Sequence, residues 1–364
     1  MERKLASIRQ IRDLQPIPGA DAILVATVDD WQVVVKKNEF QIGDLCIYFE
    51  IDSFLPPQPQ YEMLRRNSTK RMDGKEGFRL RTIKLRGQIS QGFVIPVACL
   101  NDGTPFINAY TDDGVGALHV VKLSDDVTEI LNIKKYETPI PSELSGNVSG
   151  NFPHFIKRTD QERCQNLRKE IFEDNKAARY EITTKLDGTS FTAFYVDGEE
   201  GVCSRNWELT IDEYNAGNSY IKMFMESGMQ SALRQLGNNI AIQGELMGPG
   251  IQKNRESLNT AHLYVFDVYD ITEMCYVAPY KRSTIIDELY ALGMSTSMVS
   301  HVPILHNDVS LEELGITDVA GLLSFAEGPS IAHPIREGTV FKRVDGEFSF
   351  KAISNKFLLG EKDD

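Results

Sequence analysis

The sequence predicts two domains of different class: an all-β barrel over residues 1–125 and an α+β domain over residues 155–364, with a linker, residues 126–154, between them. Three observations carry this reading. The first third holds short β-branched and aromatic runs separated by turn residues, with little helical periodicity. Pro139, Pro141, Gly146, Gly150 and Pro153 then fall in a stretch with little apolar periodicity. Beyond Phe155, strand-like and helix-like segments alternate.

In the first domain, Ile23–Val28 and Trp31–Val35 read as strands joined by Asp29-Asp30, a hairpin signal. Asp44–Ile51 is another run, and Phe78–Leu85 alternates with basic residues on one face. Phe93–Val97 and Ala117–Leu123 complete a set of about five to seven short strands. Gly19, Gly43, Pro56-Pro57, Gly87 and Gly92 fall between them as turns. Such a set predicts a small Greek-key barrel of the OB type, a fold that commonly binds nucleic acid on one face. A barrel or sandwich with a purely structural role would carry the same pattern.

In the second domain, Gln161–Ala178 reads as an amphipathic helix with Cys164, Leu167, Ile171 and Phe172 on one face. Tyr180–Thr184 and Phe191–Val196 are strands, and Tyr220–Leu236 is a helix whose methionines serve packing. Ile240–Leu246 and Leu263–Tyr269 are strands. Ser283–Leu292 is a helix with Ser283 or Thr284 near its start. Thr339–Lys342 and Glu347–Ile353 are antiparallel neighbours around Asp345-Gly346.

Composition narrows the function. A net charge of −13 argues against a protein that coats nucleic acid by bulk electrostatics. It leaves room for an enzyme with a local basic groove, and Lys70-Arg71, Arg79–Arg86, Lys157-Arg158 and Arg163 to Lys169 are local clusters. Each cluster alone reads as a solvated face. The five cysteines are scattered and odd in number, which predicts reduced thiols and a cytoplasmic location. The histidines are dispersed, so no zinc site is expected. No apolar run reaches the length of a membrane span, and the N-terminus does not read as a signal peptide.

Lys185-Leu186-Asp187-Gly188 follows the run Tyr180–Thr184. A lysine there could attack phosphorus and form a nucleotidyl-lysine; taken alone, the tetrapeptide is equally an Asp-Gly turn after an exposed lysine. The residues that follow decide between them. Ser204-Arg205-Asn206 comes next, then Gln243-Gly244-Glu245-Leu246, then Phe266-Asp267, then Glu337-Gly338-Thr339-Val340-Phe341-Lys342, then Phe348-Ser349-Phe350-Lys351. Charges recur in strand-like settings, where they are costly unless they serve something.

In this order the six elements resemble the motif series of the covalent nucleotidyltransferases: DNA ligases, RNA ligases and capping enzymes. Lys351 stands thirteen residues before Asp364, so an extra module is expected only ahead of Lys185. That arrangement resembles the ATP-dependent RNA ligases of the Deinococcus type, which carry an OB module before the catalytic domain. The resemblance implies a nucleotidyltransferase domain of the ATP-grasp-like ligase type with antiparallel sheets, acting as a monomer. The alternatives are a DNA ligase or a GTP-dependent capping guanylyltransferase, and, from another class, a non-catalytic nucleic-acid-binding protein. Labelled ATP against labelled GTP separates the first two, and the presence of any adduct separates the third.

The implied reaction joins a 3′-hydroxyl RNA end to a 5′-phosphate end at a nick in RNA or an RNA-containing duplex, with a role in repair. Lys185 would be the nucleophile, with Arg205, Glu245, Glu337 and Lys351 completing the catalytic set. ATP would lie against Thr184, Lys185, Leu186, Gly188, Ser190, Arg205, Glu245, Phe266, Lys342 and Lys351, with Phe266 under adenine and Lys351 on the α-phosphate. Asp187, Glu245 and Glu337 would hold Mg2+ or Mn2+, largely through water. The chain departs from the family twice. Relatives often carry Lys-x-Lys in the final motif, whereas Ile353 stands second after Lys351, leaving Ser349, Lys356 or no residue as its partner. Ser190 stands where DNA-ligase-like sequences have arginine, which fits RNA ligases better.

Overall fold

A computed structural model describes residues 4–97, 106–109, 117–136 and 147–360, with backbone alone for 106–109 and 117–120. Cys99, Pro139, Pro141 and Gly146 lie outside the described residues. The chain divides into two compact units, Met1–Ile140 and Pro141–Asp364.

The first unit is built from β1 (Ala6–Ile17), β2 (Ala20–Val28), β3 (Trp31–Lys36), β4 (Leu45–Phe49), β5 (Ser53–Leu55), α1 (Arg65–Ser68), β6 (Thr69–Met72), β7 (Lys75–Arg79), β8 (Ile83–Leu85), β9 (Gln88–Ser90), β10 (Phe93–Pro96), β11 (Phe106–Ala109), β12 (Ala117–Val120) and β13 (Lys134–Lys135). The main sheet has the order β10-β4-β1-β2-β3. Its long shared strand, β1, is hidden in the sequence, because Arg9, Arg12 and Asp13 interrupt the apolar positions Ile8 and Ile11. The first half of β1 pairs with β4 and the second half with β2. The Gln91 amide donates to the Gln32 carbonyl at 2.7 Å, so the chain entering β10 returns to β3, the opposite edge of the sheet. Ile8, Phe49, Phe78 and Ile95 fill the core.

The run Phe78–Leu85 is two strands rather than one. The Leu80 amide donates to Ser53 O and its carbonyl takes the Asp52 amide, which carries the β7 pairing with β5 one residue past Arg79; β8 begins only at Ile83 and pairs with β9 instead. Residues 121–136 pack on this unit. Val127 and Ile133 enter its core, and Thr128 Oγ1 accepts the amides of Leu5 and Ala6, each at 3.0 Å.

The second unit comprises β14 (Val148–Asn151), β15 (Glu162–Arg163), β16 (Arg179–Lys185), β17 (Thr189–Val196), β18 (Glu199–Cys203), β19 (Trp207–Leu209), α2 (Ser219–Glu226), α3 (Met229–Leu236), β20 (Ile240–Met247), β21 (His262–Asp270), β22 (Cys275–Tyr276), α4 (Pro279–Ala291), β23 (Val299–His301), β24 (Ile304–Ser310), α5 (Val319–Phe325), β25 (Gly338–Arg343), β26 (Ser349–Ile353) and α6 (Asn355–Gly360). One sheet runs β14-β19-β18-β17-β20-β21-β22 with β23 beside β21, and a second runs β15-β26-β25-β16-β24. Both are antiparallel except for the β15–β26 and β21–β23 pairs. Helices α2, α3 and α4 bury Phe224, Met229 and Leu289 against Phe191, Ile242 and Val265 of the first sheet. The second sheet buries Tyr180, Phe341 and Phe350 under α5 and the segment around Ile171.

Three helix assignments from sequence need correction. Gln161–Ala178 is not one helix: it begins as β15, passes a 3-10 turn at Cys164–Asn166 and closes in a π-type turn at Glu170–Asp174. Its apolar face is nevertheless the expected one, since Cys164, Leu167 and Ile171 are buried. The pairing of Arg163 with Lys351 wins over helix formation at its start. Tyr220–Leu236 is two helices, broken at Gly228 with φ +74°, where a Cβ would lie 2.7 Å from the Gly293 carbonyl. The helix expected at Ser283 starts earlier, with Pro279 in its first turn.

Candidate active site

Strands β16 and β17 are consecutive in sequence but belong to different sheets, so Leu186–Gly188 is the crossing between them. Lys185 ends β16 opposite Gly338, the first residue of β25. Glu337 therefore stands one residue beyond the pair, and its Oε1 is 2.8 Å from Lys185 Nζ. On the other sheet Ser190 faces Glu245 of β20, and Glu245 Oε1 accepts the Gly188 amide at 2.9 Å. Gly188 is required for this approach: a Cβ there would lie 2.6 Å from both Leu246 O and Met247 Cγ. Tyr220 Oη, 2.7 Å from Thr189 Oγ1, ties α2 to the start of β17. Register and loop thus bring Lys185, Asp187, Gly188, Glu245 and Glu337 to one place.

The electrostatics follow from that crowding. Burial works to lower the Lys185 pKa, but Glu337, Glu245 and Asp187 outweigh it and raise it above the ordinary lysine value. Burial pushes Glu245 up to about 7, with Glu337 and Asp187 reinforcing it and Lys185 and the Gly188 amide opposing. Asp187 is raised by burial and by Glu337. Glu337 raises the proton affinity of both Asp187 and Glu245, and the three crowded carboxylates form a set of hard oxygen donors whose repulsion a divalent cation would relieve. Among the described residues no three His, Cys, Asp or Glu side chains form a ready metal cage. The set fits a Mg2+ or Mn2+ ion that keeps several waters.

Two further groups flank this centre. Lys351, opposite Val340 on β25, places Nζ 3.1 Å from Asp160 Oδ1. Arg205 Nη2 lies 3.5 Å from Asp160 Oδ2, so one carboxylate spans both cations. The loop carrying Asp160 is pinned by Gln243 Nε2 on Lys157 O at 2.9 Å and by Tyr276 Oη on Arg158 O at 3.2 Å. In the other group Phe266 is half-buried and packs with Leu186, Met247 and Tyr264. Lys342 Nζ sits 5.6 Å from the Phe266 ring centroid, bonds Asp267 Oδ1 at 2.6 Å and donates to Phe266 O. Arg282 also donates to Phe266 O, at 3.1 Å, and pairs with Glu181 at 2.6 Å. Lys342 is buried, and burial pulls its pKa down, with Asp267 opposing. Thr184 is buried on β16, while Arg205 is exposed.

Sequence reading missed Asp160, Glu181 and Arg282. Asp160 follows the Lys157-Arg158 cluster and has no spacing signal of its own. Glu181 and Arg282 are 101 residues apart, and only the fold joins them.

Comparison with known proteins adds identity to this geometry. Residues 5–97 match a family model for an OB-fold domain, and residues 178–353 match one for RNA ligase. The chain is 42% identical to the Naegleria gruberi RNA ligase solved with PPi, covering 100% of both chains at a TM-score of 0.85. It is equally 42% identical to a lysine-to-methionine form of that protein solved with AMP and Mn, again covering 100% of both chains at a TM-score of 0.85. A lysine-to-alanine form solved with ATP and Mn matches at 42% identity and a TM-score of 0.84, over 98% of each chain. Among curated proteins none matches by sequence.

Proposed function

The chain belongs to the RNA ligase family, with an OB-fold domain ahead of its ligase domain, and on that premise we propose that Lys185 is the nucleophile of an ATP-dependent ligase that seals RNA ends. The observation that carries this is Lys185 Nζ, 2.8 Å from Glu337 at the crossing of two sheets, with Glu245 and Asp187 around it.

The reaction runs in three displacements at phosphorus. Lys185 Nζ attacks the α-phosphate of ATP, forming a phosphoramidate bond and expelling pyrophosphate. The AMP passes to a 5′-phosphate end, freeing the lysine. A 3′-hydroxyl then attacks that activated phosphate, forms the phosphodiester and releases AMP. For the first step the lysine must shed its proton, and Glu337, the nearest carboxylate, is placed to receive it. A bound divalent cation would neutralise the carboxylates that hold the proton on Lys185 and would stabilise charge developing on phosphate. Asp187, Glu245 and Glu337 are the residues we assign to it.

Lys351 and Arg205 are assigned to phosphate, since their paired cations already hold an anion, the Asp160 carboxylate. Phe266 is assigned to adenine, with its backbone carbonyl fixed from behind by Lys342 and Arg282. This makes Lys342 a positioning residue rather than a phosphate ligand. Thr184, Leu186, Gly188 and Ser190 shape the wall on which the nucleotide lies. Among the described residues no helix is long and apolar enough to cross a membrane. Among the described residues Cys46, Cys203 and Cys275 are free thiols, and we assign the protein to a reducing compartment such as the cytoplasm. We assign its action to a monomer working on nicked RNA or RNA-containing duplexes during repair.

Incubation with labelled ATP and Mg2+ or Mn2+ tests this. The protein should acquire an acid-labile, alkali-stable AMP adduct that Lys185→Ala abolishes. An adduct formed only from GTP, or one that persists in the variant, would overturn the reading.

A further inference from the structure

The chain is acidic overall, yet its positive charge is unevenly placed. Residues 66–86 hold eight Lys or Arg against two Asp or Glu, within a chain of net charge −13. After the end of α1, most of this stretch lies in two consecutive hairpins, β6–β7 and β8–β9, joined by Leu80–Thr82. Of the two acids, Glu76 is occupied by Arg65 at 2.7 Å, and the other, Asp73, is in a turn. Lys70, Arg71, Lys75, Arg81, Lys84 and Arg86 are exposed, and among the described residues none is in an ion pair. One such cation alone is a solvated side chain, but six exposed and unpaired ones within seventeen residues of an acidic protein set up a local positive field that attracts an anion.

The second hairpin carries an independent sign. Its turn places Arg86 at φ +49° and Gly87 at φ +87°. A two-residue turn with both residues at positive φ strongly favours Asn or Asp in the first place. Arginine there forgoes that preference and sets a cation at the tip. On β8, Ile83 and Leu85 share one face, 36% and 37% exposed, with Lys84 on the other. Cations spread over two hairpins, with apolar side chains exposed beside them, suit a polymer that offers regularly spaced phosphates and sugar–base faces.

We propose that the hairpins at 69–79 and 83–90 are a polynucleotide-holding surface of the first unit, gripping the phosphate backbone of the RNA strand to be sealed. The proposal rests on the ligase reading but concerns a surface distinct from the lysine site. Its failure is separately visible, because adenylylation requires ATP alone whereas this surface engages only the polynucleotide.

The test uses the full chain as Lys84→Gln/Arg86→Asn and as Lys70→Gln/Arg71→Gln. Asn suits the positive φ at position 86, so the first variant removes charge while favouring the turn. Lysine adenylylation without polynucleotide should stay within about twofold of wild type. Affinity for a nicked RNA duplex bearing a 5′-phosphate should fall about tenfold, and the dependence of log affinity on log salt should flatten by about one for each phosphate no longer engaged. Sealing should fall with affinity and recover at high RNA concentration. Unchanged affinity and salt slope in both variants would overturn the proposal. So would loss of binding to phosphatidylserine vesicles with RNA binding intact. Loss of adenylylation in wild type would overturn the ligase reading and leave the RNA-binding measurement standing.

Discussion

Glu245 is held at the centre of the site against its own ionisation. Its folded pKa, pushed up to about 7, exceeds that of an exposed glutamate, so the folded state binds its proton more tightly than the unfolded chain does. Stability contributed by this residue is therefore greatest below the unfolded value and is lost as pH rises towards about 7. Glu245→Gln should raise the melting temperature at pH 8 by a few degrees and leave it nearly unchanged at pH 5, while adenylylation falls sharply. Thermal melts across that pH range, beside adduct formation, check it. A variant that melts lower at pH 8 would show that Glu245 stabilises the fold instead. The residues legible in sequence were those whose chemistry is bound to a short pattern, Lys185 with Gly188 and Glu337 with Gly338. Asp160 was not legible, because its partners Arg205 and Lys351 are distant in sequence and meet it only through folding.

At the level of elements, the site depends on how closely β16, β25 and β26 lie. Gly338 pairs with Lys185 on one side and Ile353 on the other. A Cβ at 338 would run into the Ala352 carbonyl oxygen and come within 2.9 Å of Ile353 Cα. Gly338→Ala should therefore cost about 1–3 kcal/mol of stability and displace Glu337 from Lys185. Denaturant unfolding and adenylylation should both report it, with activity lost even at temperatures where the variant is fully folded. Most strands were legible because alternation or continuous apolar runs mark them, as in Phe191–Val196. Where reading failed, tertiary bonds had overridden local pattern. The start of Gln161–Ala178 joins β26 instead of coiling, and the charged positions of β1 conceal a strand central to its sheet.

On the scale of the molecule, every residue assigned to ATP or metal belongs to the unit Pro141–Asp364, which has cores of its own. A chain of residues 141–364 should fold, by circular dichroism, and should retain more lysine adenylylation than nick sealing. Equal loss of both activities would mean that the first unit is needed for the chemistry at Lys185 as well as for RNA. The boundary was only partly legible, since the Pro/Gly-containing stretch marks a change of domain. Its flanks nevertheless belong to folded structure, with Val127 buried on one side and β14 paired with β19 on the other.

The carboxylate of Asp160 between Arg205 and Lys351 has a consequence for how the protein responds to its surroundings. A phosphate arriving at these cations does not fill an empty positive site. It replaces an anion already in residence, so the two positive side chains never face each other unscreened, and the local charge changes by less than the charge of the newcomer. With Lys351 and Arg205 on phosphate as proposed, nucleotide capture would be an exchange, comparatively indifferent to added salt, whereas RNA capture on the proposed surface of unpaired cations would be an addition that salt opposes. Ionic strength should thus slow sealing well before it slows the loading of the lysine, and a cell with fluctuating salt would keep the enzyme charged with AMP while varying how readily it engages RNA.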